Sequence, residues 1–237
     1  MPHRSTLAAI FALSFTLLAH AADNAPPEGF KPLFNGKDLS GWKADEVQAK
    51  HWTVKDGVLD LNPVGAPSGK DITLWSKDEF GDVTIMVDWR WSGPAQKKHQ
   101  PILLPSGDEK KDENGKIVTV EIEERDSGIY LRGSSKSQVN MWAWPAGSGE
   151  VYGYRTDRKM PAEVRAGVTP KKNMDKPVGE WNHMVITIKG DRLTVALNGE
   201  EVITNAQLPG IPARGPIALQ NHGQAIQFKN LYVKELK

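Results

Sequence analysis

The sequence contains no cysteine. A disulfide, a thiolate nucleophile and a cysteine-ligated zinc are therefore excluded together, although a chain without thiols suits an oxidising compartment as well as a reducing one. Net charge is nearly absent too: 30 Lys and Arg stand against 29 Asp and Glu over 237 residues. Without a basic surplus or a charged tail, the electrostatic basis for general nucleic-acid binding is missing. No Gly-rich phosphate cradle and no Ser-centred nucleophile elbow occurs. Beyond the N-terminal segment the histidines are His51, His99, His183 and His222, and none is paired at the i, i+4 spacing of a helical zinc site. No cofactor is expected; calcium on Asp or Asn oxygens is compatible with an all-β chain, but no loop has a ligand spacing that specifies it.

What is present is a globular composition, 39% hydrophobic and 25% charged. The first residues read as an export signal over residues 1–21: Arg4, an apolar run from Leu7 to Leu18, then Ala19-His20-Ala21. The run falls short of the ~20 residues of a membrane span, so a periplasmic or secreted protein with no span in its mature form is expected; an uncleaved anchor is the alternative. Residues 22–29 form a linker and residues 30–237 a single domain.

The rest is made of short β-branched and aromatic runs broken by Gly, Asn and Asp, with no long helical period. From Asp82 to Trp91, Val83, Ile85, Val87, Trp89 and Trp91 alternate with mostly polar neighbours, so that one face packs. Strands are predicted at Trp181–Ile188, Arg192–Leu197 and Glu201–Thr204, the Asn198-Gly199 pair marking a type I′ hairpin, and at Pro216–Gln220 and Ala225–Val233. The pattern predicts an all-β fold, two antiparallel sheets packed as a jelly-roll sandwich, with an up-and-down barrel as the alternative. Ser92–Thr119 reads as a solvated loop or exposed hairpin, and Pro145–Pro177 as a long irregular wall or lid. Trp52, Trp75, Trp89 and Trp181 read as core, and His183 as a surface or satisfied sheet residue.

Three strands carry polar groups suited to a specific ligand. Period two places Asp126, Gly128, Tyr130 and Arg132 on one side of their strand, opposite Ile129 and Leu131. It aligns Gln138, Asn140 and Trp142 opposite Val139 and Met141, and it puts Ala218, Gln220 and His222 together. Amides, a guanidinium and flat aromatics are the groups a sugar site uses, because hydroxyls need paired donors and acceptors while pyranose C–H faces pack on rings. Each strand also has a plain structural reading: an Arg132–Asp126 ion pair, a hydrogen-bonded sheet edge at Gln220 and His222, and core or loop packing for Trp142 and Trp144, of which one is structural.

Leu33-Phe34-Asn35-Gly36-Lys37-Asp38-Leu39-Ser40-Gly41-Trp42, Asp126-Ser127-Gly128-Ile129-Tyr130-Leu131-Arg132-Gly133, Gly179-Glu180-Trp181-Asn182 and Gly215-Pro216-Ile217-Ala218-Leu219-Gln220-Asn221-His222-Gly223 together resemble the 3-keto-disaccharide hydrolase family over residues 30–235. The resemblance implies a concanavalin-like sandwich related to laminarinase-type glycoside hydrolases, and an exported bacterial protein acting on oxidised sugars. Where the family often carries an aromatic-Glu-x-Gln-Ile strand, this chain has Ser137-Gln138-Val139-Asn140-Met141, and Asp126 stands where Asn is common, as if a carboxylate had moved to the neighbouring strand. A 3-ketone acidifies the C2 hydrogen of a pyranose, so one general base allows elimination of the C1 substituent, and water addition completes hydrolysis. His222 or Asp126 is the candidate base. Arg132, Gln138 and Gln220 would bind the ketone and enolate oxygens, Glu150 on a mobile loop would protonate the leaving group, and Asn140, Trp142, Tyr130 and Tyr152 would contact the sugar. A separate sugar oxidoreductase is the implied partner. The rival reading is a lectin-like module that binds carbohydrate without cleaving it.

Overall fold

The alternation between residues 82 and 91 is the spine on which both layers are assembled. In the computed structural model, which describes residues 25–68 and 71–237, Val83–Trp91 is one strand whose Val83, Ile85, Val87, Trp89 and Trp91 are buried, while the residues between them are half-buried. The export segment expected over residues 1–21 lies outside the described residues. Fifteen strands are found among the described residues: β1 (Lys31–Pro32), β2 (Trp42–Lys43), β3 (Trp52–Lys55), β4 (Val58–Leu61), β5 (Leu74–Phe80), β6 (Val83–Trp91), β7 (Gln96–Pro101), β8 (Thr119–Glu124), β9 (Asp126–Leu131), β10 (Ser134–Trp142), β11 (Asn182–Lys189), β12 (Arg192–Leu197), β13 (Glu200–Gln207), β14 (Gly215–Leu219) and β15 (Ile226–Glu235). Helix α1 (Glu46–His51) precedes β3, and α2 (Tyr152–Arg155) and α3 (Ala162–Gly167) lie between β10 and β11.

One sheet runs β13-β12-β11-β6-β15-β4-β3 with β1 beside β15, a second runs β10-β9-β14-β5-β2, and β7 and β8 form a separate ribbon. The named pairings are antiparallel. Both main sheets keep free edges, so the fold is the expected two-sheet sandwich and not a closed barrel. Ile129, Leu131, Val139, Met141, Ile217 and Leu219 of the five-stranded sheet meet Ile85, Ile186, Val195 and Phe228 of the other in one apolar cluster. Each such side chain contributes about 1.5–3 kcal/mol when fully buried. Asn198 (φ 53°) and Gly199 (φ 90°) are both left-handed, as a type I′ hairpin requires.

Three expectations need correction. Trp75 and Trp181 are half-buried, unlike Trp52 and Trp89: Trp75 lies 5.6 Å from the Tyr130 ring, and Trp181 lies under Arg90 at 4.5 Å and Lys229 at 4.8 Å. The stretch 145–177 is less irregular than its Gly and Pro content suggests, because Val151, Tyr154, Val164 and Val168 anchor α2 and α3 in the core.

The third concerns Arg132, which does not continue the polar face of β9. Its backbone is left-handed (φ 52°), as is that of Gly133 (φ 73°), so the two form the turn into β10 and the alternation ends. The guanidinium donates to the carbonyls of Gly81 (3.0 Å), Gly190 (2.7 Å) and Pro212 (3.1 Å) and to Asp82 (2.8 Å). It ties the β9–β10 turn to the β5–β6 and β11–β12 turns across both sheets. It belongs to the closure of one end of the sandwich, and no bond to Asp126 forms. Arg132→Met should therefore lower stability by about 3 kcal/mol, the scale for removing one partner of a buried ionic network, as read by urea unfolding.

Candidate active site

The outer face of the five-stranded sheet carries the polar residues singled out above. Between Ser134 and Gln138 the register of β10 against β9 jumps, from Ser134 opposite Leu131 to Gln138 opposite Tyr130. The hydroxyl of Ser137 covers the bulge, 2.8 Å from the Leu131 carbonyl and 3.1 Å from that of Ser134. Beyond it, Gln138 lies opposite Tyr130, Asn140 opposite Gly128 and Trp142 opposite Asp126, while Ala218 of β14 flanks Tyr130 on the other side. The Gln220 amide extends the β14 side by donating to the Gly128 carbonyl at 2.9 Å. Val139 and Met141 face the core as predicted.

These rows floor a cleft of about 350 Å³ lined by Glu124, Asp126, Gln138, Asn140, Trp142, Trp144, Tyr152, Gln220 and His222. Gln138 Nε2 donates to Gln220 Oε1 at 2.5 Å and to the Ser127 carbonyl at 3.2 Å. Its side chain crosses Gly128, where a Cβ would stand 2.4 Å from Nε2 and 2.7 Å from the Val139 carbonyl. The glycine is thus required by the close approach of an amide. Gln220 in turn bonds the hydroxyl of Tyr130, whose pKa burial pushes above 10. Tyr130 supports the floor from beside the cleft. The Asn140 side chain makes no hydrogen bond among the described residues, which leaves a whole amide for a ligand.

His222 Nδ1 lies 2.7 Å from Asp126 Oδ2, and Asp126 is largely buried while the imidazole is half-exposed at the cleft. The hydrogen bond to Asp126 raises the His222 pKa above 6.5, desolvation opposes it, and the charge of Glu124 adds to the rise. Gln224, with its amide oriented to satisfy its neighbours, donates to the carbonyls of His222 (2.7 Å) and Asp126 (3.2 Å) and so pins the loop after β14. The carboxylate orients the ring through Nδ1, which leaves Nε2 for a substrate proton.

Aromatic rings form one wall. Trp142 and Trp144 stack at 4.2 Å and 5°, and Tyr152 stands edge-on to both. Trp142 is the structural member of the pair, buried with Nε1 donating to the Gly147 carbonyl at 2.8 Å. Glu150 departs from expectation. Residues 149 and 150 pair with Asn140 through two backbone bonds of 2.8 and 2.9 Å, so the segment extends the sheet and is no mobile loop. Its carboxylate is fully buried against Arg155, with Oε2 unpartnered, and burial raises its pKa to about 7. It is not among the residues that line the cleft, and its partner Arg155 stacks on Tyr152 at 5.2 Å. The sequence reading missed Glu124, because it ends a strand in an apparently solvated segment. It lines the cleft at the end of the ribbon, where it is largely buried, accepts from Gln100 at 2.6 Å and pairs with Lys98. Among the described residues no group of three or more His, Asp or Glu side chains is arranged to hold a metal ion.

The profile of the family described as the 3-keto-alpha-glucoside-1,2-lyase-like domain matches residues 29–234. A 3-keto-disaccharide hydrolase of Bacteroides thetaiotaomicron is 21% identical over 243 aligned residues, covering 88% of this chain and 79% of its own length. Two solved structures of candidate glycosyl hydrolases from Parabacteroides distasonis share the fold. One has a TM-score of 0.60 at 20% identity, covering 91% of this chain and 100% of its own. The other has 0.58 at 23%, covering 89% and 85%.

Two outcomes follow from the packing around the cleft. Gly128→Ala should break the Gln138–Gln220 bond and lower stability by about 1–3 kcal/mol, as overpacking against backbone does, measured by urea unfolding. For Glu150, the folded state holds a proton more tightly than the unfolded state, so its contribution to stability is complete below about 4.5 and is lost as pH rises towards about 7. Unfolding curves of wild type and Glu150→Gln should accordingly shift in the variant's favour across that window.

Proposed function

The chain belongs to the 3-keto-alpha-glucoside-1,2-lyase-like family, and on that premise we propose that the cleft cleaves 3-keto-glycosides by elimination and hydration. The observation that carries this reading is the His222–Asp126 pair set at the edge of a floor of amides. His222 Nε2 takes the proton from C2, the electron pair forms the enolate with the C3 oxygen, and collapse of the enolate expels the C1 substituent as C1=C2 forms. The leaving oxygen takes the proton back from the imidazolium. Water then adds across the double bond. Elimination alone would fit the lyase of the family's description, and elimination followed by hydration amounts to the net hydrolysis in the Bacteroides relative's name.

In this reading Asp126 holds the tautomer and supports the charge that develops on the ring. Asn140 and the free oxygen of Gln138 bind hydroxyls, and the Trp144–Tyr152 corner receives the apolar face of a sugar. The protein works outside the cytoplasm, as its N-terminal segment suggests, and a separate oxidoreductase installs the ketone.

Because hydrogen bonding to Asp126 raises the His222 pKa, the basic form accumulates only above pH 6.5. kcat/KM on a 3-keto-glucoside should therefore fall on the acid side with a limb above that value. Asp126→Asn removes the charge, so its limb should move to lower pH while the rate drops about 10²-fold, and His222→Ala should lose about 10²–10⁴-fold, the range for a general acid–base group. Circular dichroism checks that both remain folded. A wild type that retains glycan on an affinity gel yet turns over no 3-keto-glycoside would replace this reading with the binding module.

A further inference from the structure

We propose that Lys98, carried to the cleft by the β7–β8 ribbon, is the cation that stabilises the enolate oxygen, an assignment that rests on the elimination reading above. The need for such a group comes from the charges around the cleft. The cleft wall holds two carboxylates, Glu124 and Asp126, and proton removal from C2 adds a third negative centre on the substrate. When His222 accepts that proton it neutralises Asp126, its own partner at 2.7 Å, and leaves the new oxyanion without compensation. An uncompensated enolate beside a second carboxylate is unfavourable in a partly desolvated cleft.

The arginines of this region are buried, and none of them lines the cleft. Arg132 is bound by three backbone carbonyls and Asp82 at the end of the sandwich. Arg155 lies behind Tyr152 on Glu150, and Arg125 is buried against Glu123 at 3.1 Å. Lys98 differs from all three. It sits on the same face of the ribbon as Gln96 and Gln100, opposite Ile122 in register and diagonal to Glu124. Its ammonium pairs with Glu124, a cleft-lining carboxylate, while its own side chain remains half-exposed and free to extend. Its charge also acts on His222, lowering the pKa that Asp126 and Glu124 raise, so the ammonium lies within electrostatic range of the base.

Glu124 is accordingly the tether. Together with Gln100, which donates to it at 2.6 Å, this cleft-lining carboxylate holds the Lys98 ammonium at the rim, from which a half-exposed side chain can extend to a sugar on the Asn140 floor. In the resting cleft the pair is neutral. As the enolate forms, one ammonium proton turns to the C3 oxygen while the remaining donors keep Glu124, and no bond of the protein is broken.

The experiment follows the C2 proton of a 3-keto-glucoside by NMR in D2O, since both exchange and elimination consume that signal. Lys98→Met should slow its loss by roughly 10²–10³-fold with little change in KM, the scale for one oxyanion donor. Removing a positive charge near His222 should also move the acid limb to higher pH, which reports the charge at the base, while the loss of rate reports the contact with the enolate. Lys98→Arg keeps the charge and should restore at least tenfold of the lost rate and the position of the limb. A Lys98→Met rate within threefold of wild type overturns the assignment while leaving the elimination reading in place. A wild type that consumes no C2 proton overturns both.

Discussion

The register of β10 against β9 is the constraint on which the cleft depends. A strand presents alternate residues to one face, so a slip of one position would exchange Gln138, Asn140 and Trp142 for Val139 and Met141. The Arg132-Gly133 turn, the bulge before Gln138 and the Ser137 hydroxyl that covers it set that register together. Arg132 fixes the turn in space by binding three carbonyls from other loops. A residue remote from the chemistry therefore decides which side chains reach it. The same register makes Gly128 necessary, because only there can the Gln138 amide cross β9 to meet Gln220 on β14.

Much of this was legible from alternation alone. The inner residues of β6, β9, β10 and β14 are buried as the period-two reading requires, and the polar partners of three strands do converge. What alternation could not show is where it stops. Arg132 looked like the next outward residue of β9, yet a left-handed backbone turns it into the loop, and a tight hairpin between two runs of strand carries no hydrophobic signal of that change. Glu150 failed for the opposite reason. It lies in a segment rich in Gly and Pro, but Val151 and Tyr154 bury their side chains and draw the carboxylate inward with them. Lys98 lay in the stretch that reads as a solvated loop or hairpin and Glu124 ends the strand after it, and only their pairing at the cleft distinguishes them from ordinary surface charges.

The aromatic wall shows how one structural requirement is shared between packing and binding. Trp142 is committed through its Nε1 bond to Gly147, and the near-parallel stack passes that rigidity to Trp144. Tyr152 closes the corner because Arg155 supports its ring from behind, and Arg155 is held in turn by Glu150. The buried ion pair thus acts on the cleft through the orientation of a ring.

The arrangement also bears on which reaction the cleft suits. Hydrolysis of an ordinary glycoside relies on two carboxyl groups flanking the bond, one of them protonated. Here both cleft carboxylates already have partners, Asp126 in His222 and Glu124 in Lys98 and Gln100. The carboxyl whose pKa burial raises, Glu150, is paired with Arg155 and does not line the cleft. A substrate with a ketone at C3 removes the demand for a second carboxyl, since the acidity gained at C2 lets one imidazole begin the reaction and return the proton at its end. On the proposed elimination the site is short of positive charge and not of acid, and the ribbon is the element that would bring a cation to it.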